Sequence, residues 1–303
     1  MHPAASQDVP ERAAGFPDDL TLLVNDYLAQ LRFAREPGVS GLQEAMHYSL
    51  LAPGKRVRPV LALATARAIG HDPREVLPLA AALELIHTFT LVHDDLPALD
   101  DDDLRRGQPT AHVRFGEDVA ILAADALFAE AFRLVLSEQR GEPAHVLAAL
   151  AALTDATGVN GLAGGQYIDV RGLAGARSVG LRCLHRLKTG ALMRASVESV
   201  LLVHGFKGVA LDEFRKFADE LGLLFQIVDD ILDVTADASE LGKDTGTDAR
   251  HGKVTYVSRF GLPWAQSLAE QTHAAARAAL ARAVPDGAAE LEAITDFFLD
   301  RTS

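Results

Sequence analysis

The chain has 303 residues, a formal charge of −13 and 49% hydrophobic residues, with only 6% aromatics. That acidity argues against a nucleic-acid surface, because phosphate backbones are met by stripes of Lys and Arg. A single cysteine, Cys183, excludes an internal disulfide framework and fits a reducing, cytoplasmic setting.

Residues 1–17 mix Pro, Asp, Glu and Ala with no basic end or apolar stretch, which predicts a flexible arm and not a signal peptide. From residue 18 to 303 the periodicity is helical and no two-residue alternation stands out. It predicts helices near 20–35, 40–51, 57–70, 74–95, 117–139, 143–158, 178–204, 210–233, 264–282 and 286–300. Short Gly/Pro breaks separate them, such as Pro37-Gly38, Pro53-Gly54, Gly141 to Pro143 and Gly261 to Pro263. With no long linker, the expectation is one all-α domain, a bundle of about ten or more helices. Apolar runs such as 118–136 hold Asp118, Asp125, Glu130 and Arg133, so no membrane span is expected and the protein reads as soluble.

Two aspartate clusters close apolar helical stretches. In the first, Asp94-Asp95-Leu96-Pro97-Ala98-Leu99-Asp100, Asp94 and Asp100 would lie roughly 240° apart on an unbroken helix. Pro97 breaks the ladder and lets the chain bend, so that both can face one ion. Asp101, Asp102 and Asp103 follow, either as a solvated loop or as further ligands. In the second, Asp229 and Asp233 fall about 40° apart on one helix face, and Asp230 points to an adjoining one. Massed carboxylates in apolar surroundings need a compensating charge, and Mg²⁺ with substrate phosphates is the natural candidate.

Basic residues accompany the acids. Arg105 and Arg106 follow the first cluster, Gly54-Lys55-Arg56-Val57-Arg58-Pro59 lies at a loop-to-helix junction, and Lys188-Thr189-Gly190 ends one helical stretch. Lys243 and Lys253 follow the second cluster, while Gly164-Gly165-Gln166-Tyr167-Ile168-Asp169 is a small-residue stretch bearing polar groups. Arginines beside metal-binding acids suit a diphosphate. His87 and His93 lie near Asp94, where a lone histidine is more often structural.

In this order the motifs, with Phe225-Gln226 ahead of Asp229, resemble the trans-type polyprenyl diphosphate synthases, most closely the bacterial farnesyl diphosphate synthases, from about residue 40 to the C-terminus. The resemblance implies an isoprenoid synthase-like bundle around a central cavity, and a homodimer. It implies a Mg²⁺-dependent farnesyl diphosphate synthase that condenses isopentenyl diphosphate with dimethylallyl or geranyl diphosphate. Three Mg²⁺ ions would bind between Asp94, Asp100 and Asp229, with Asp95 and Asp233 supporting and Asp230 in the same motif. Arg105, Lys188, Gln226 and Lys243 would hold the leaving diphosphate, with Gln166 and Lys253 in the substrate site and Thr189 at the forming cation. Lys55, Arg58, His87 and Arg106 would hold isopentenyl diphosphate. Phe89 and Thr90, with the Pro97 insertion, resemble the farnesyl-type floor that limits chain length; Phe89 lies about 7.5 Å below Asp94 along the helix. Gly246-Thr247-Asp248 departs from relatives that carry a second lysine in that loop. The alternatives are a geranylgeranyl diphosphate synthase, a terpene cyclase and a non-catalytic subunit; the intact second cluster and the Lys55/Arg58 pocket disfavour the last two.

Overall fold

The helices Leu77–Asp94 and Ala191–Val203 form the middle of the molecule, and the apolar composition of each explains why. In a computed structural model, residues 15–175, 180–235 and 254–301 are described. In chain order the helices are α1 (Asp18–Gln30), α2 (Ser40–Leu50), α3 (Val57–Ala68), α4 (Leu77–Asp94) and α5 (Ala111–Phe115). Next come α6 (Glu117–Glu138), α7 (Pro143–Thr157), α8 (Leu162–Gly175), α9 (Leu181–His185) and α10 (Ala191–Val203). The last are α11 (Gly208–Thr235), α12 (Tyr256–Phe260), α13 (Leu262–Ala283) and α14 (Ala289–Asp300). The only strands among the described residues are β1 (Leu104–Arg105) and β2 (Gln108–Pro109), an antiparallel hairpin. The fold is all-α, as the periodicity predicts.

α4 is buried on every side over its first half, with Leu79 to Ile86 all inside. A helix apolar all round belongs in a core. α3, α6 and α10 are among the helices that pack around it, α7 and α11 flank α10, and α13 lies along α11. Alanines at positions 62, 64, 80, 81, 82 and 195 are buried and let these axes approach closely. The core reaches back to Phe16, whose ring meets Phe297 edge-on at 5.1 Å. Pro73–Asp94 and Pro143–Gly172 are long and apolar enough to cross a membrane by length and composition. The first is mostly buried among other helices; the second is broken into α7 and α8 around Gly158 to Gly161.

Three differences from the sequence reading matter for the site. α8 falls where no helix was expected, because Gly164, Gly165 and Gly172 lower helix propensity. The expected helix over 178–204 is interrupted by an i→i+5 turn at Arg186–Gly190, between α9 and α10. The first helix stops at Gln30, five residues early, where Leu31 turns extended.

Candidate functional site

The first aspartate cluster folds as a compact reversal. α4 ends at Asp94, and the chain turns so that the Asp100 N–H donates to the Asp94 carbonyl at 2.9 Å. Asp101 and Asp102 donate in turn to the carbonyls of Leu96 and Asp95. The reversal needs a left-handed residue, supplied by Asp101 at φ 53°, a conformation aspartate tolerates. The bend expected at Pro97 is therefore present, and Asp94 and Asp100 line the same cavity.

That cavity, about 620 Å³, is walled by α3, α4, α6, α8, the i→i+5 turn, α11 and the β1–β2 hairpin. Of the residues read from sequence, Arg58, His87, Phe89, Thr90, Asp94, Asp100, Arg105, Arg106, Gln166, Lys188, Thr189, Gln226, Asp229 and Asp230 line it. Lys243, Lys253 and Thr247 lie outside the described residues.

Adjacent aspartates divide between cavity and scaffold. Asp95, expected to support the metal, faces away into a buried ion pair: Arg105 Nε and Nη2 meet its Oδ1 at 2.7 and 2.6 Å. Burial pushes the Asp95 carboxyl up, and Arg105 opposes that. In the second cluster Asp230 lines the cavity, but its oxygens accept from Gln226 Nε2 (2.8 Å) and the Tyr256 N–H (2.7 Å). Asp233, paired with Asp229 in the sequence reading, is buried one turn on and is not part of the wall. Asp229 and Asp230 share the wall because neighbours on a helix are only about 100° apart, and the start of α12 clasps the second of them.

The basic pole forms where α3 begins and the hairpin turns. Arg106 and Gly107, both at positive φ, make the two-residue turn between β1 and β2. Arg106 Nη1 donates to the Pro53 carbonyl at 2.6 Å, and a Cβ on Gly54 would stand 2.5 Å from that nitrogen, so a larger residue there would push the guanidinium aside. Arg58 is buried, and its Nε has no hydrogen-bond partner among the described residues. A buried guanidinium with an open donor in a cavity wall is a site for an anion. Burial, with Arg58, Arg106 and Arg105 next, holds His87 well below the ordinary imidazole range, so it is neutral. Lys55 is displaced from the expected pocket: its Nζ lies 3.9 Å over the Phe297 ring. Its neighbour Arg56, also at positive φ, turns inward to a buried pair with Glu84 at 2.8 Å.

Opposite, α8 meets the i→i+5 turn at contact distance. A Cβ on Gly165 would lie 2.3 Å from the Lys188 backbone nitrogen, and one on Gly222 would lie 3.1 Å from Gly190 Cα. This closeness lets Lys188 pair with Asp169 at 2.5 Å and Gln166 donate to Asp94 at 2.7 Å. Thr189 Oγ1 donates to Gln226 Oε1 at 3.0 Å, which fixes the amide so that its nitrogen faces Asp230. Extra residues in a helical turn of this type recur at functional sites.

The far end of the cavity is apolar. Phe89 packs against Phe128 with the rings tilted, centroids 4.9 Å apart, and Phe128 meets Phe132 edge-on. Thr90 lies beside them, its hydroxyl tied back to the His87 carbonyl. Phe128, Asp169 and His185 are wall residues that the sequence reading did not assign. Asp169 is one turn from Gln166, and a helix expected there would have placed both on one face; nothing in the sequence marks Phe128 or His185.

The donor set fits a hard cation. Asp94, Asp100 and Asp229 bring carboxylate oxygens to one cavity, and Mg²⁺ takes few carboxylates plus water and phosphate. Acids able to hold metal, arginines able to hold phosphate and an apolar end describe a site for a diphosphate with a hydrocarbon tail.

The sequence profile described as Polyprenyl synthetase matches residues 39–287. The chain is 41% identical over 302 residues to the chloroplastic geranylgeranyl pyrophosphate synthase of Capsicum annuum, covering 98% of this chain and 81% of that protein. It is 43% identical over 258 residues to the farnesyl diphosphate synthase of Geobacillus stearothermophilus, covering 84% and 87%. A geranyltransferase structure from Legionella pneumophila superposes with a TM-score of 0.81 at 32% identity, over 94% of this chain and 95% of that one.

Proposed function

We propose, for a chain that belongs to the polyprenyl synthetase family and is a prenyltransferase, that the product is all-trans farnesyl diphosphate, made from isopentenyl diphosphate and dimethylallyl or geranyl diphosphate. The observation that carries this reading is the Phe89–Phe128–Phe132 cluster closing the apolar end of a cavity whose other walls bear the aspartates and arginines. A fifteen-carbon tail grown from the acidic end would meet that cluster.

Asp94, Asp100 and Asp229 would hold Mg²⁺, which neutralises the allylic diphosphate and acts as a Lewis acid toward it. Arg105 and Lys188 face the leaving group and stabilise the charge it gains as the allylic C–O bond breaks. Gln226 orients the Thr189 hydroxyl, so that its oxygen lies toward the carbocation. Arg58 and Arg106, with neutral His87 as a hydrogen-bond donor, hold the diphosphate of isopentenyl diphosphate. Its double bond attacks the cation, and the departed diphosphate accepts the proton lost from the new bond.

A twenty-carbon product is the second reading, favoured by the several geranylgeranyl synthases among the relatives. Product sizing with Mg²⁺, isopentenyl diphosphate and geranyl diphosphate separates the two. Phe89→Ala should lengthen the product beyond fifteen carbons; an unchanged profile removes Phe89 as the floor. We also infer a homodimer, supported by exposed Leu122 and Leu136 on one face of α6, and a reducing cytoplasm, supported by the lone free Cys183. Sedimentation of Leu122→Glu against wild type tests the dimer.

A further inference from the structure

At the end of the bundle away from the aspartates, two packed helices finish side by side. α3 closes with Gly70 at φ 82°, whose N–H donates to Arg67, while the His71 N–H reaches back to Ala66. α10 closes in the same way, with Gly205 at φ 76° donating to Leu202 and Phe206 to Leu201. These closures put His71 just beyond one helix and His204 at the end of the other. Their rings stack, centroids 3.7 Å apart. Glu75, from the 3₁₀ turn Pro73–Val76, brings a carboxylate oxygen to 3.2 Å from His71 Nδ1. Gln139 fixes Glu75 from behind, donating to its carbonyl at 2.9 Å. One donor atom from each of His71, Glu75 and His204 lies within 4.8 Å of the other two.

Three features favour a cation there. Two helix C-termini converge, each with partial negative charge. Glu75 adds a full one. His204 Nε2 is buried and has no hydrogen-bond partner among the described residues. Two imidazoles and a carboxylate are a borderline donor set suited to Zn²⁺, with water in the fourth position, whereas Mg²⁺ prefers oxygen alone. Tetrahedral zinc needs donors about 3.3 Å apart, a contraction that rotations of the exposed His71 and Glu75 side chains can supply. The length of α4, ~27 Å, separates this cluster from Asp94.

We propose that His71, Glu75 and His204 form a Zn²⁺-type metal site that ties the end of α3 and its following turn to the end of α10, apart from prenyl transfer. The test uses tag-free protein in saturating Mg²⁺, titrated with CoCl₂ while visible ligand-field absorption and histidine ring-proton NMR are followed, then with ZnCl₂. One Co²⁺ per chain should develop the absorption and perturb the His71 and His204 resonances, and Zn²⁺ should displace it. His71→Ala and Glu75→Gln, both at exposed positions, should weaken binding at least about tenfold. Asp229→Asn should leave it intact, and His71→Ala should elongate prenyl chains at the wild-type rate. No Co²⁺ absorption, equal affinity in His71→Ala and His204→Ala, or loss of binding in Asp229→Asn would each overturn the proposal.

Discussion

The two aspartate clusters reach one cavity by different means. The second is carried on an uninterrupted helix, α11, while the first depends on a chain reversal with a left-handed aspartate at its far side. In each, one member of the Asp-Asp pair is tied down by the fold. In the first cluster the anchor, Asp95, is held by an arginine that itself lines the cavity. In the second, Asp230 lines the cavity beside Asp229 and also accepts from the Gln226 amide and the Tyr256 N–H. Paired carboxylates thus differ in their partners: Asp94 accepts from the Gln166 amide in the cavity wall, while Asp95 is paired with Arg105 behind it.

The strongest way to break this division is to remove charge from each partner in turn. Asp94→Asn and Asp229→Asn should lower elongation by on the order of 10²–10³-fold, the range for losing one electrostatic contact to developing charge. Their thermal stability should hold or rise, because carboxylate repulsion is relieved. Steady-state rates with melting curves check both parts, and a folded, fully active Asp94→Asn would end the metal-ligand reading.

The histidine beside each cluster sharpens the comparison through pH. His87 is held neutral by burial and by the surrounding arginines, and His185, stacked near Tyr256, is pushed down to about 4, first by burial. A depressed imidazole favours the unfolded state once that state takes a proton. Stability from His185 is therefore full above pH ~6.5 and falls as pH drops toward 4, by roughly 3 kcal/mol in all. Urea unfolding of His185→Gln should show a correspondingly shallower loss over that window. An identical pH slope would mean that the ring is not kept neutral by its surroundings.

Much of this was legible beforehand, and the misses have physical causes. Pro97 announced the reversal because proline cannot continue the helix ladder. The segregation of Asp94 from Asp95 was not legible, since both neighbours are equally acidic and the choice is made by where the following hairpin places Arg105. Likewise Lys55, Arg56 and Arg58 read as equivalent cations until Glu84 captures Arg56 and Phe297 receives Lys55. The i→i+5 turn under Lys188 was hidden because propensity does not distinguish it from an ordinary helix. α8 was hidden by its glycines, of which Gly165 serves close approach to Lys188.

Stability separates the two anchors by a smaller amount. Asp95→Asn leaves Arg105 facing an uncharged amide, which should cost about 2–3 kcal/mol. This is below the cost for a fully buried pair, because Arg105 is 29% exposed and keeps Asp102 at 3.6 Å. Asp230→Asn gives up the acceptor for either the Gln226 amide or the Tyr256 N–H and should cost about 1–2 kcal/mol. Equal losses in chemical denaturation would show that the Arg105 pair adds nothing at Asp95 beyond what hydrogen bonds supply at Asp230.

The smallest effect concerns the aspartates beyond the reversal. Asp101 is exposed and needs its left-handed backbone more than its carboxylate, since its N–H already closes the turn on Leu96. Glycine adopts that conformation without strain but gains entropy in the unfolded chain, so Asp101→Gly should change stability by no more than about 0.5 kcal/mol. Elongation and its Mg²⁺ dependence should match wild type. A rise in the Mg²⁺ concentration needed for half-maximal rate would instead enlist Asp101 as a ligand. The first cluster would then gather metal through its loop as well as its helix end, a difference from α11 that the cavity wall alone does not reveal.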